Sequence, residues 1–235
     1  MILYHVTDET RLASILTQGI VPDAGSNFEG GFTSLDGFVY LTPALDWRYA
    51  IMSCGSAYPG NEGGLLPRPV LIEVNVGGEH LYPDEDHLRD DLVRNHGWSA
   101  ERVEQEVGVE YVRHNCGRWR ESLERSGTAA HDGPIGLVQV RGALIVDHEL
   151  MAELMTIMGC MPHLSANRVY DGPHGRFCQK VHRWAWGESA KDFDVPCHIE
   201  MDGTYHGLFD LPRVAKGNRR IITLKRGNVV NDVAA

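Results

Sequence analysis

The chain has 235 residues, 43% of them apolar, and a formal net charge of −10. Such a composition belongs to a folded globular protein rather than a disordered one, and no apolar run approaches the roughly 20 residues that cross a bilayer. The negative balance excludes a protein that coats nucleic acid by bulk electrostatics.

Met1 to Thr7 (M-I-L-Y-H-V-T) reads as a short apolar strand ending in His5, Val6 and Thr7. A helix follows at once: Asp8 is a good N-cap, Leu12, Ile15 and Leu16 recur at helical spacing, and Gly19 stands at the C-cap. Phe38 to Pro43 (F-V-Y-L-T-P) forms a second strand with a polar tip, and Trp47, Tyr49 and Ala50 open another helix. This arrangement can place His5 and Tyr40 side by side at one cleft. Residues 55–69, rich in Gly and Pro, form a loop, and Val70 to Val76 is a buried strand. Residues 84–94 read as a very acidic helix, 99–107 as a helix capped by Ser99, and Val109 to Val112 as a strand. Residues 117–126 are helical, 127–136 a loop, Leu137 to Arg141 a strand ended by Gly142, and Asp147 to Met158 an amphipathic helix closed by Gly159. Beyond it aromatics, His and Gly accumulate, with short strands expected at 177–186, 195–200, 204–209 and 220–225.

The reading is therefore α+β, with a first domain over 1–159 and a small β-rich extension over 160–235. The five cysteines, Cys54, Cys116, Cys160, Cys178 and Cys197, form no even-numbered framework, which points to a reducing compartment. No basic stretch precedes the first apolar residues, so no secretory signal is read and a cytoplasmic protein is expected. Charge is uneven along the chain. Residues 1–150 hold 11 Lys and Arg against 23 Asp and Glu, a balance of −12, while residues 151–235 hold 11 against 9, a balance of +2. The acid-free set Arg213, Lys216, Arg219, Arg220, Lys225 and Arg226 is either a solvated strand edge or a contact for a partner's phosphates.

The pattern Leu3-Tyr4-His5-Val6-Thr7, helix, Gly19-Ile20-Val21-Pro22, then Val39-Tyr40-Leu41-Thr42 and a helix with Tyr49-Ala50 resembles the ADP-ribosyltransferase superfamily. Within it, the likeness leans to members acting on nucleic acids, the DarT-like DNA transferases and the tRNA 2′-phosphotransferases. Pro69 to Val74 and Gly136 to Leu144 are similar to later core strands of such folds. The likeness covers residues 1–150 and is most specific at 3–50. It implies a split mixed or antiparallel sheet with flanking helices and NAD as substrate. It implies also that His5, with Thr7 beside it, meets the adenosine ribose, and that Tyr40 and Thr42 frame the nicotinamide. ADP-ribose would pass to a macromolecular acceptor, a nucleic acid rather than a protein, with no membrane involved. Breaking the bond between C1′ and nicotinamide builds positive charge on the sugar, so a carboxylate beside the 2′-hydroxyl completes such a site.

The chain departs from the pattern there. On the matching last strand stands Gln139, with no Glu in 137–142. Gln139 can act with altered chemistry, or Glu73 or Glu110 can enter from another strand. The third alternative is NAD-dependent removal of a 2′-phosphate from RNA, in which Arg48 would hold the phosphate; only Arg68 is also near. A non-catalytic NAD- or nucleotide-binding module is the remaining reading. Each residue also has a plain structural role open to it: a hydrogen-bonded histidine for His5, a cross-strand aromatic pair for Tyr40, a surface ion pair for Arg48 and a solvated strand position for Gln139. In the extension, Cys160-x-x-His163, Cys178-x-x-x-His182 and Cys197-His198 offer thiolates and imidazoles at zinc-like spacing, although no Cys-x-x-Cys pair is present. Trp184 and Trp186 are either core for a small sheet or a base-stacking platform.

Overall fold

The fold is taken from a computed structural model, which describes residues 1–22, 34–42, 67–148, 220–225 and 228–233. Strand β1 (Ile2–Asp8) leads straight into helix α1 (Glu9–Gln18). The Asp8 carboxylate accepts from the Thr10 amide at 2.8 Å, satisfying one of the free donors of the first turn. At the other end Gly19 takes φ 87° and ψ −171°, a conformation open essentially to glycine alone. A Cβ there would lie 2.3 Å from the Ile135 carbonyl oxygen. That close approach lets Ile20 and Ile135 exchange both backbone hydrogen bonds, at 2.9 and 2.8 Å.

The remaining elements are β2 (Phe38–Leu41), β3 (Pro69–Asn75), β4 (Leu81–Pro83), α2 (Glu85–His96), α3 (Ala100–Glu106), α4 (Val109–His114), α5 (Trp119–Arg125), β5 (Ala129–Asp132), β6 (Val140–Val146), β7 (Arg220–Lys225) and β8 (Asn228–Val233). They build two sheets, one in the order β1-β3-β6-β7-β8 and one in the order β2-β5-β4. The first is mixed: β3 runs antiparallel to both β1 and β6, β6 and β7 are parallel, and β7 and β8 are antiparallel. The described residues are thus α+β. Strands β7 and β8, drawn from the stretch 160–235, extend the sheet built by the first 150 residues.

Alternation along the strands sorts side chains between two cores. Leu3, Val70, Ile72, Val74, Ala143 and Ile145 on one face of the larger sheet pack with Val39, Leu41, Leu81 and Ala129 of the smaller. The opposite face of β2, with Phe38 and Tyr40, joins a second core built on Leu88, Leu92, Val103, Val107 and Val112. The smaller sheet is therefore buried on both sides.

Four sequence expectations are corrected. Val109 to Val112 is not a strand but the body of α4, where the Val112 amide bonds back to the Gly108 carbonyl at 3.1 Å and Val112 alone of the helix is fully buried. Leu137 to Gln139 is a turn, and the strand begins at Val140. Gly142 does not end it, because it pairs with both Glu73 and Arg220 beside a bulge at Glu73/Val74. The loop expected at 127–136 contains β5, the central strand of the smaller sheet. Strand β4, for which the sequence offered no expectation, leads into the acidic helix. The helix expected at 147–158 beyond His148 and the strands expected at 177–186, 195–200 and 204–209 lie outside the described residues, as does the boundary placed near 160.

Candidate functional site at the junction of the two sheets

The two sheets meet where β1 touches the end of β2. Tyr4 and Thr42 exchange backbone hydrogen bonds at 2.8 Å in both directions, an isolated antiparallel bridge. Directly opposed residues share a face, so Thr42 and Tyr40 project to the side of Tyr4, while His5 and Thr7 project to the side of Leu3. The first-strand and second-strand residues singled out from the sequence are therefore adjacent in the backbone but leave opposite faces of the ribbon.

His5 nonetheless reaches β2. Its Nδ1 lies 3.1 Å from the Tyr40 carbonyl oxygen. A carbonyl only accepts, so Nδ1 carries the proton and Nε2 presents a lone pair in the neutral ring. Burial holds the His5 pKa below the usual histidine value; the bond to Tyr40 opposes that shift and the Arg11 charge adds to it. Thr7 is buried. The Thr42 hydroxyl is buried too, and its Oγ1 has no hydrogen-bond partner among the described residues. An orphaned hydroxyl of this kind costs stability unless something occupies it.

Tyr40 is half-buried, and its hydroxyl donates to the Glu85 carboxylate, with Oε1 at 2.7 Å and Oε2 at 2.6 Å. The Leu35 amide completes the knot, 3.1 Å from the phenol oxygen and 3.2 Å from Glu85 Oε1. Burial, then the Glu85 and Asp84 charges, push the phenol pKa upward. Burial also raises the Glu85 carboxyl, against the lowering effect of the Tyr40 bond. Its neighbour Asp84 is pushed to about 8, by burial first and by the charges of Glu85 and Asp86 next.

Glu85 was not singled out by sequence reasoning. Its only sequence signal is the run Asp84-Glu85-Asp86 at a helix start, which accounts for itself locally. The three carboxylates stand close enough together to share an ion. Their oxygens are already engaged within the chain: Asp84 caps the Asp86 amide and accepts from the Thr128 hydroxyl, Glu85 holds Tyr40 and Leu35, and Asp86 holds Arg89. The trio is accounted for as a capped helix start.

The remaining candidates fall elsewhere. Glu73, fully buried, pairs across β1 with Tyr4, whose hydroxyl donates to it at 3.0 Å, and Arg141 Nε lies 3.5 Å from its other oxygen. Its side chain leaves the face opposite His5. Gln139 folds onto its own turn, where Oε1 accepts from the Gly136 amide at 2.8 Å. Glu110 is exposed on α4 and paired with Arg113. Arg68 is held by Glu9 at 2.8 Å. Arg48, Trp184, Trp186, the cysteine–histidine pairs of the extension and most of the basic set 213–226 lie outside the described residues. Among the described residues no helix is long and apolar enough to cross a membrane.

No protein-family model matches this chain, and neither a curated protein nor a solved structure matches it. The chemistry at the junction therefore rests on its own residues. A neutral imidazole with a free lone pair accepts from a hydroxyl, a buried threonine can donate to or accept from one, and an aromatic ring held by its hydroxyl stays fixed in orientation.

Proposed function

We propose that this chain transfers ADP-ribose from NAD to a macromolecular acceptor, a nucleic acid rather than a protein. The observation that carries the reading is the junction itself, where the His5 ring is anchored on the Tyr40 carbonyl beside the Tyr4–Thr42 bridge that links the two sheets. His5 Nε2 would accept a ribose hydroxyl, while Thr42 and Tyr40, which leave the opposite face of the ribbon, would not line the same wall. Support for a nucleic-acid acceptor comes from the sequence likeness and from the basic residues 213–226.

The test is incubation with NAD while nicotinamide release is followed, alone and with DNA, RNA or cell extract. His5→Ala should weaken NAD binding by about 1 kcal/mol or more, roughly fivefold, the scale of one lost hydrogen bond. Equal affinity in the mutant would remove His5 from the site.

One observation favours a second reading, a binding module without catalysis. Glu73 is committed to Tyr4 and Arg141, and Gln139 to its own turn, so neither is directed to the His5 side of the junction. NAD binding with no nicotinamide released under any acceptor condition would establish that reading. The 2′-phosphotransferase reading rested on Arg48, and the neighbouring Arg68 is occupied by Glu9.

A further inference from the structure

On the far side of the smaller sheet from α2, the β4 and β5 strands bring two histidines together. His131 sits in the middle of its sheet, opposite Val39 on one side and Leu81 on the other, and only 3% of its surface is exposed. Its Nδ1 lies 3.2 Å from the Gly133 carbonyl oxygen, which fixes the proton on that nitrogen. The lone pair of Nε2 is then left inside the protein, and that atom has no hydrogen-bond partner among the described residues. A backbone carbonyl on one ring nitrogen, with the other nitrogen free, is the arrangement that orients a histidine toward a metal ion.

The second imidazole is close by. His80 lies in the short turn Gly78–His80 that leads into β4, and its ring centre is 5.6 Å from that of His131. Two imidazoles sharing one tetrahedral ion at about 2.0–2.1 Å from each nitrogen have ring centres about 5 Å apart. The preceding residue adds an oxygen donor: Glu79 Oε1 lies 3.8 Å from His80 Nε2. The donors span the surface, because the side chains of His80 and Glu79 are 57% and 73% exposed while His131 is enclosed. The three donors do not yet stand within one coordination sphere, so binding has to draw the exposed His80 and Glu79 side chains toward the enclosed ring.

We propose that His131 and His80 form a seat for a divalent transition-metal ion of the zinc class, with Glu79 as the third donor. Imidazole and carboxylate together suit zinc, which tolerates three protein ligands with water in the fourth position. The proposal uses none of the residues of the His5 junction and does not depend on the reading given to it. The cysteine–histidine pairs of the extension lie outside the described residues and are further candidate zinc ligands, so the test reads His131 itself.

The test is a zinc titration of the full chain, followed through the imidazole nitrogen resonances of His131 and through thermal melts. The wild type should show the His131 signals moving as zinc is added. His80→Ala, a change at an exposed residue, should leave the zinc-free melting temperature unaltered and weaken binding at this site at least tenfold. Glu79→Gln should weaken it less. His131 signals that stay still in the wild type at saturating zinc would overturn the proposal, and so would signals that move with the same affinity in His80→Ala.

Discussion

On β3 and β6 a carboxylate and a guanidinium meet inside the larger sheet, Glu73 with Arg141, and the Tyr4 hydroxyl bonds to the same carboxylate. At the start of α2 two carboxylates are enclosed instead by neutral donors: Asp84 by Thr128 and a backbone amide, Glu85 by Tyr40 and Leu35. Both regions bury charge, but only the first supplies a counter-charge at the same spot. The consequence is a division of labour. Burial beside a cation keeps an ion pair whose loss is costly, whereas burial among hydroxyls and amides favours the protonated acid and makes that region responsive to pH.

The largest effect expected from this comparison is at Arg141. Arg141→Met keeps the length of the side chain and removes the cation from a carboxylate that has no solvent contact. Breaking one side of a buried pair costs about 3–5 kcal/mol. Urea denaturation should show a loss of that order. A loss below about 1 kcal/mol would mean that Glu73 does not depend on this cation, and the contrast between the two regions would fail.

Next in size is Asp84→Asn. The folded-state pKa of Asp84, about 8, lies above the 3.8 of an ordinary aspartate, so the folded chain holds the proton more tightly than the unfolded chain does. The resulting stabilisation is complete below about pH 4 and is lost as pH rises through about 8. Asparagine keeps the oxygen that caps the Asp86 amide and can donate its own amide to the Thr128 hydroxyl. Between pH 7 and 9 the variant should be more stable than the wild type, by on the order of 1 kcal/mol, with a flatter dependence on pH. Urea midpoints measured across that range decide it, and an unchanged slope would count against a protonated Asp84.

How far the sequence went follows the same division between local and distant causes. Helix α1 was legible at both ends, because Asp8 and Gly19 act within four residues of the bonds they make. Strand β3 was legible from its apolar, β-branched run. The short strands were not: β5 reads Ala129-Ala130-His131-Asp132, without a β-branched residue, and is a strand because β2 and β4 pair with it on either side. In α4 two valines suggested a strand that helical packing overrode. At the candidate site, the nearness of His5 to Tyr40 could be read from two strand tips. Which face each side chain leaves could not, because it is set by the single pairing of Tyr4 with Thr42. Glu85 was hidden for a similar reason: its partner Tyr40 lies 45 residues earlier, and nothing local marks the pair.

The smallest expected effect comes from the same kinds of charge placed in water. Arg94 and Asp90 on α2 are joined at 2.8 Å, closer than Arg141 and Glu73, but their side chains are 58% and 52% exposed. If distance alone set the strength of an ion pair, Arg94→Gln would cost more than Arg141→Met. Water and salt screen the exposed pair, and holding two long side chains in one geometry opposes it, so a pair at this helical spacing contributes about 0.3–0.5 kcal/mol. Arg94 also stands in the last turn of α2, where a cation adds a few tenths of a kcal/mol against the helix dipole. Glutamine preserves helix propensity, so the total loss should stay under about 1 kcal/mol and shrink further in about 1 M salt. A loss as large as that of Arg141→Met, or one insensitive to salt, would show that burial is not what separates the two pairs.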